Sequence, residues 1–345
     1  MLLKLQVKLK TLTPMFLSGE DGKTPEPRSP SFRGALRYWL RAGLGGVLGD
    51  DIELVKKKEA SVFGSSEKEI GISPIWIRLS AGEYNTNYTQ PLLPHRGEIW
   101  TNYQKKQLKN SPRPAIPPGT PLTLTLILKP RGSPEILEIA TWSLLLLVAF
   151  GGVGKRSRRG FGSLRINSIE EMPEELKRNT ALKECLNEAQ KIAADRDKLA
   201  AQIKNLHILS RHAFEQFSGK SGEAWSKLPK FSLLAPDTEI FIWCPRDNSQ
   251  TDYKSALKAL MLKLSGKMAD NPKEFAEAFG GIKPRRASPL WVSAHQLQNE
   301  WALVLTDLRA EMLENRPGNK HNLVTQFLKD LPKDEVIPLS QLEAK

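Results

Sequence analysis

Residues 134–169 read PEILEIATWSLLLLVAFGGVGKRSRRGFGSLRINSI. Pro134 and Glu135 open a strongly apolar helix that ends near Phe150. The glycine-rich loop Gly151 to Gly162 follows it, and Ser163 to Ile169 predict a strand. Upstream, Leu122 to Lys129 (LTLTLILK) and Ser73 to Leu79 (SPIWIRL) predict two more strands. Phe32 to about Leu44 predict a helix with Ala35, Leu36, Trp39 and Leu40 as its apolar stripe and Ser31 as its cap. In residues 2–10, Leu3, Leu5, Val7 and Leu9 alternate with Lys4, Gln6, Lys8 and Lys10, which predicts a strand with a basic outer face. The order strand, helix, strand, strand, helix, strand is the split βαβ pattern of an α+β, ferredoxin-like (RRM-like) unit. A short helix is expected at Leu54 to Val62. Residues 81–118, rich in proline and polar residues, form a long insertion of the functional or disordered kind.

The second half echoes the first. Tyr253-Lys254-Ser255-Ala256-Leu257-Lys258 parallels Phe32-Arg33-Gly34-Ala35-Leu36-Arg37, and Phe279-Gly280 parallels Phe63-Gly64. Ser288-Pro289-Leu290-Trp291-Val292 parallels Ser73-Pro74-Ile75-Trp76-Ile77, 215 residues on. Two related units are therefore expected. Residues 1–170 would be the first, with the insertion and the glycine-rich loop. Residues 171–345 would be a helical connector, from the helical stretch 174–217, and a second ferredoxin-like unit that has lost or moved its glycine-rich loop. A chain of 345 residues suits two domains of roughly 100–200 residues each.

Charge is distributed unevenly. Residues 1–165 hold 25 Lys/Arg and 13 Asp/Glu, a net of +12, and residues 166–345 hold 26 and 25, a net of +1. An excess concentrated in one half points to a polyanion partner, and nucleic acid fits it best. Only Cys185 and Cys244 are cysteines, which excludes a disulfide scaffold and a cysteine-rich zinc module. The N-terminus lacks a signal-peptide core. Ile136 to Phe150, the most apolar stretch, is too short to span a bilayer, so a cytoplasmic protein without membrane contact is expected.

Within residues 151–162, five glycines (Gly151, Gly152, Gly154, Gly160, Gly162) and four cations (Lys155, Arg156, Arg158, Arg159) occur without an acid. Glycines let a backbone approach a ligand closely, and its N–H groups with Lys and Arg side chains suit phosphate oxygens. The loop is not a Walker A motif: Ala149 replaces the first glycine, Arg156 replaces the Ser or Thr, and the loop follows a helix. Arg33, Arg37 and Arg41 recur at i, i+4, i+8 without an i+4 acid, and Arg28 extends that patch. Lys283, Arg285 and Arg286 form a lesser cationic group. Among aromatics, Trp76 and Trp291 fit a strand core better than a stacking site, and Tyr84, Tyr88, Trp100 and Tyr103 are the better stacking candidates.

Histidines His95, His207, His212, His295 and His321 show no helical metal spacing, and no metal or cofactor motif occurs. His95, between Pro94 and Arg96, is the best general acid or base for a metal-independent ribonuclease, the alternative to a binding protein.

Three stretches carry a family likeness: Thr13 to Gly19 leading to Arg28 to Arg41, Glu59 to Ser65, and Gly151 to Gly162. Together they resemble the RAMP superfamily of CRISPR-associated proteins, and most closely its first-numbered Cmr subunits of type III-B effector complexes. The resemblance implies tandem units that contact guide or target RNA inside a complex with other Cmr subunits, in antiviral defence. It also implies that cleavage belongs to other subunits, so no catalytic residue is expected here. Lys155, Arg156, Arg158 and Arg159 would grip the RNA backbone, with Arg28, Arg33, Arg37 and Arg41 extending the surface.

Overall fold

The computed structural model describes residues 2–65, 71–91, 112–130, 132–221, 231, 233–245, 252–270, 278–279, 287–308 and 321–341. His95, Trp100, Tyr103, Lys283, Arg285 and Arg286 lie outside them. Strand β1 (Lys4–Thr11) keeps the expected alternation, with Leu5, Val7 and Leu9 buried. It is followed by α1 (Ser29–Leu48), α2 (Ile52–Phe63), β2 (Ile75–Ala81), a two-residue pair β3 (Thr89–Gln90) and β4 (Arg113–Pro114), β5 (Pro121–Leu128), α3 (Pro134–Phe150) and β6 (Leu164–Glu171). The sheet order is β2-β5-β1-β6, antiparallel throughout. That is the ferredoxin-like order, with β3 and β4 belonging to the insertion.

Residues 174–217 divide into three helices, α4 (Glu174–Lys177), α5 (Thr180–Ala189) and α6 (Arg196–Ser218). The breaks are chemical. The side chains of Asn179 and Asp195 accept from Leu182 N and Lys198 N as N-caps. Then come β7 (Glu239–Trp243), α7 (Tyr253–Asp270), β8 (Leu290–Gln296), β9 (Trp301–Asp307), α8 (His321–Lys329) and β10 (Val336–Pro338). Their sheet, β10-β7-β9-β8, is antiparallel and repeats the first topology. The two units are thus both ferredoxin-like. Between α8 and β10, where the first unit has its glycine-rich loop, residues 330–335 read DLPKDE and hold no glycine.

The sheets differ in their surroundings. In the first, α1 and α3 cover one face and the other stays in solvent. In the second, α7 and α8 pack on the strands, and α3 and α6 also reach them. This double cover explains why β8 and β9 are near-continuous buried runs rather than alternating ones. Helix α3 is apolar around its whole circumference for the same reason. One hydrophobic cluster therefore runs from Leu5, Val7 and Leu9 through α3 to Ile240, Ile242 and Val304.

Helix α1 starts earlier than the sequence suggests. Arg28, not Ser31, is its N-cap residue, extended at φ −122°. Its carbonyl accepts from Ser31 N and Phe32 N, and Pro30 sits in the first turn, where its missing N–H costs nothing. At the other end, a Cβ on Gly46 would stand 1.9 Å from the Leu234 carbonyl oxygen, so only glycine lets residues 233–235 cross the helix there. No helix among the described residues is long and apolar enough to cross a membrane.

Candidate functional site

A cleft of about 770 Å³ opens between the N-terminal half of α1, residues 16–22 and the glycine-rich loop. Ser31, Ala35 and Tyr38 line it from α1, Gly152 and Gly154 to Arg158 from the loop, and Trp291 from the second unit. Among the described residues no carboxylate lines it, and the first turn of α1 holds no acid either. The positive end of the α1 dipole favours anions there.

Loop geometry is set by its own packing. Lys155 N donates to Phe16 O at 3.0 Å, and Val153 N donates to Gly162 O at 3.0 Å. Gly162 has φ +68°, and a Cβ there would meet Val153 O at 2.0 Å. Gly160 has φ +80° and abuts Leu257 of α7. Gly151 and Gly152 are closed off by Trp39 and the Phe161 carbonyl, and Gly154 by the Phe16 carbonyl. The glycines therefore also serve close packing of the loop on the protein itself, while Gly152 and Gly154 line the cleft. Arg156 holds a left-handed conformation, φ 60° and ψ 22°, which is costly for a residue with a side chain and recurs at functional loops.

The four loop cations diverge. Lys155 is exposed and has no ion-pair partner among the described residues. Arg156 and Arg158 line the cleft. Arg158 stacks over Tyr38 at 5.4 Å and Trp291 at 4.9 Å, and its buried Nε has no hydrogen-bond partner. Arg159 turns the other way: it donates to Phe279 O at 3.2 Å and Ser288 Oγ at 3.4 Å and does not line the cleft. Burial, then the charges of Arg156 and Arg158, lower its guanidinium to about 10, so it stays cationic near neutrality.

Helix α1 also separates two groups that the sequence puts on one surface. At 3.6 residues per turn, the stripe Arg33, Arg37, Arg41 lies about 120° round from Ser31, Ala35, Tyr38. Arg37 Nε donates to Glu59 Oε1, and Arg41 Nη1 lies 3.2 Å from Glu59 Oε2. The stripe has an acid after all, supplied by α2, and two of its members are turned to it rather than to the cleft. Arg33 is half-buried on that same stripe, and Arg28 is exposed at the start of α1.

Aromatic placement is mixed. Trp39 and Phe161 are core residues, and Trp291 is buried, as expected for a strand. Trp76 is 45% exposed, which corrects its assignment to the core: it lies on the uncovered face of the first sheet. Tyr84 donates to Pro25 O at 2.9 Å, and Tyr88 to Gln90 Oε1 at 2.9 Å. The sequence did not single out Tyr38, whose hydroxyl accepts from Trp291 Nε1 at 2.8 Å. Its signal was its i+7 spacing from Ser31.

Two histidines are built in as neutral groups. His295 Nε2 lies 2.9 Å from Ala149 O, and burial pushes the imidazole down to about 4. Burial does the same to His207, down to about 4. Among the described residues no group of His, Cys, Asp and Glu could hold a metal ion.

A tandem ferredoxin-like protein with a cation-lined cleft at the seam of its two units is the class that fold and site define. The RAMP superfamily model matches residues 8–165. The Cmr subunit Cmr1-1 of a CRISPR system from Pyrococcus furiosus is 30% identical over 282 residues, 77% of this chain and 75% of that protein. Cmr1-2 of the same organism is 26% identical over 184 residues, 48% of this chain and 95% of the relative. The chain belongs to the RAMP superfamily, in its Cmr1 branch. The apo crystal structure of Pyrococcus furiosus Cmr1 matches at a TM-score of 0.64 and 21% identity, covering 97% of this chain and 98% of that one. A chain in the cryo-EM structure of the type III-B Cmr-beta bound to cognate target RNA matches at 0.60 and 12%, covering 95% and 100%.

Proposed function

We propose that this protein is a non-catalytic, RNA-binding subunit of a type III-B CRISPR effector complex, acting in antiviral defence with other Cmr subunits. Residues 1–170 form the RNA-binding unit, and residues 171–345 form the helical connector and the second unit. The observation that carries the reading is the cleft itself: Lys155, Arg156 and Arg158 beside the N-terminal turns of α1, with no carboxylate among the described lining residues. Phosphate groups of guide or target RNA enter there, and Arg28 flanks the entrance. Membership of the Cmr1 branch supports it, as does the RNA-bound state of the Cmr-beta structure that holds a chain of like fold. Contacts to phosphate position a strand without reading its sequence, so binding is salt-dependent and weakly sequence-specific.

The test is a titration of end-labelled single-stranded RNA over a range of salt, in EDTA and in Mg²⁺, with a denaturing gel of each sample. The double variant Lys155→Ala, Arg156→Ala loses at least tenfold in affinity. Its salt dependence is shallower by about 0.7 per phosphate contact removed. Unchanged affinity in the folded variant sinks the cleft assignment. RNA products formed in EDTA and abolished by His95→Ala would replace it with a ribonuclease.

A further inference from the structure

The uncovered face of the first sheet carries its own chemistry. Register aligns Trp76, Ile127 and Lys4 in one row, and Arg78, Thr125 and Gln6 in the next. Strands β1 and β2 run parallel, both antiparallel to β5, so their starts and the end of β5 share one edge of the sheet. Leu128 N donates to Leu3 O and Lys129 N to Pro74 O, which brings Leu2, Lys129 and Ile72 to that edge. There the apolar residues face solvent: Ile72 is 85% exposed, Trp76 45% and Leu2 43%.

Cations rim them. Lys129 Nζ lies 5.2 Å from the centre of the Trp76 ring, and Arg78 is exposed. Lys4, in contrast, is paired with Glu171 at 2.7 Å. Arg78 has no ion-pair or hydrogen-bond partner among the described residues. Strand β2 is also outermost, with no strand paired to its far side among the described residues.

We propose that this corner docks an extended segment of a neighbouring protein subunit, one that sets an apolar side chain beside carboxylates. Each part of that description answers a feature. Exposed aliphatic surface marks a protein contact, because a nucleic-acid base could stack on Trp76 but neither sugar nor phosphate would cover Ile72 and Leu2. Arg78 and Lys129, which have no ion-pair partner among the described residues, call for acids. A free strand edge pairs with an extended chain. The surface shares no residue with the cleft. This inference rests on the chain being a complex subunit, and the experiment separates the two.

The full chain is co-expressed with the other Cmr subunits of its source organism, and its recovery in the purified complex is measured by native mass spectrometry. Trp76→Ala with Arg78→Glu is compared with wild type, and Arg78→Ala is a milder control. Thermal melting confirms that both variants fold, and RNA titration of the isolated chain reports the cleft. The expected result is at least a tenfold loss of incorporation for the double variant, a smaller loss for Arg78→Ala, and RNA affinity of the isolated chain within twofold of wild type. Full incorporation of the double variant overturns the docking surface and leaves the subunit reading standing. Lost RNA affinity with full incorporation makes the corner an RNA contact instead. A wild-type chain that never enters the complex overturns both readings.

Discussion

The guanidinium of Arg158 lies over the indole of Trp291 at 4.9 Å, fastening the glycine-rich loop of one unit to a strand of the other. A cation over an aromatic face is worth about 1–2 kcal/mol once water is excluded. Arg158→Ala is expected to lose about that much in chemical denaturation. Arg158→Lys keeps the charge but not the planar stacking, and should recover less than half of it. An unshifted denaturation midpoint in both variants would refute the clamp.

Glu59 holds two arginines from a buried position. Glu59→Ala strands Arg37 and Arg41 at the α1–α2 contact and should cost about 1–3 kcal/mol. The pair Arg37→Ala, Arg41→Ala should likewise lower stability, leaving the Glu59 carboxylate unpaired. Its RNA affinity, measured below its melting range, should change less than twofold. A tenfold fall would restore those arginines to the binding surface.

Glycine need not be equally strict along the loop and its neighbours. Gly162→Ala combines a positive φ with a backbone oxygen in the way, and nothing soft can yield. A loss of several kcal/mol, read from the urea midpoint, is expected. Gly22 has φ +67° with open space around it, so Gly22→Ala should cost only about 1 kcal/mol. Equal losses would show that the contact with Val153 does not matter.

Acid should loosen the seam through His295. With the folded imidazole held at about 4 and the free one near 6.5, the unfolded chain gains the proton first as pH falls. Stability is therefore full above pH 6.5, is lost between 6.5 and 4, and levels off below that. At pH 5 the single group costs about 2 kcal/mol. His295→Gln keeps an N–H donor for the Ala149 carbonyl and cannot titrate. Unfolding measured at pH 7 and pH 5 should show a smaller acid loss in the variant, and an identical loss would dismiss the assignment.

Much of this architecture could be read from local pattern. Alternation in β1, the like motifs at the starts of β2 and β8, and the loop after α3 are each written within a short run of sequence. What escaped depends on distance along the chain. The acid that pairs with Arg37 and Arg41 sits on a different helix. Arg159 looks like its three neighbours until the second unit arrives to bury it. Trp76 and Trp291 occupy equivalent places in two equivalent strands, yet only the second is covered. Sequence repeats register topology and are blind to what packs on the far face of each sheet.

The missing glycines of residues 330–335 have a further consequence. The chain holds two copies of one fold, and the one without glycines at that connection supplies the wall against which the loop of the other is pressed. Neither half is then a free-standing module. Cut between them, each would expose a broad oily surface, and the loop would lose its backing. Heating should accordingly melt the protein in a single step rather than two, and the half without the loop is as necessary to the cleft as the half that owns it.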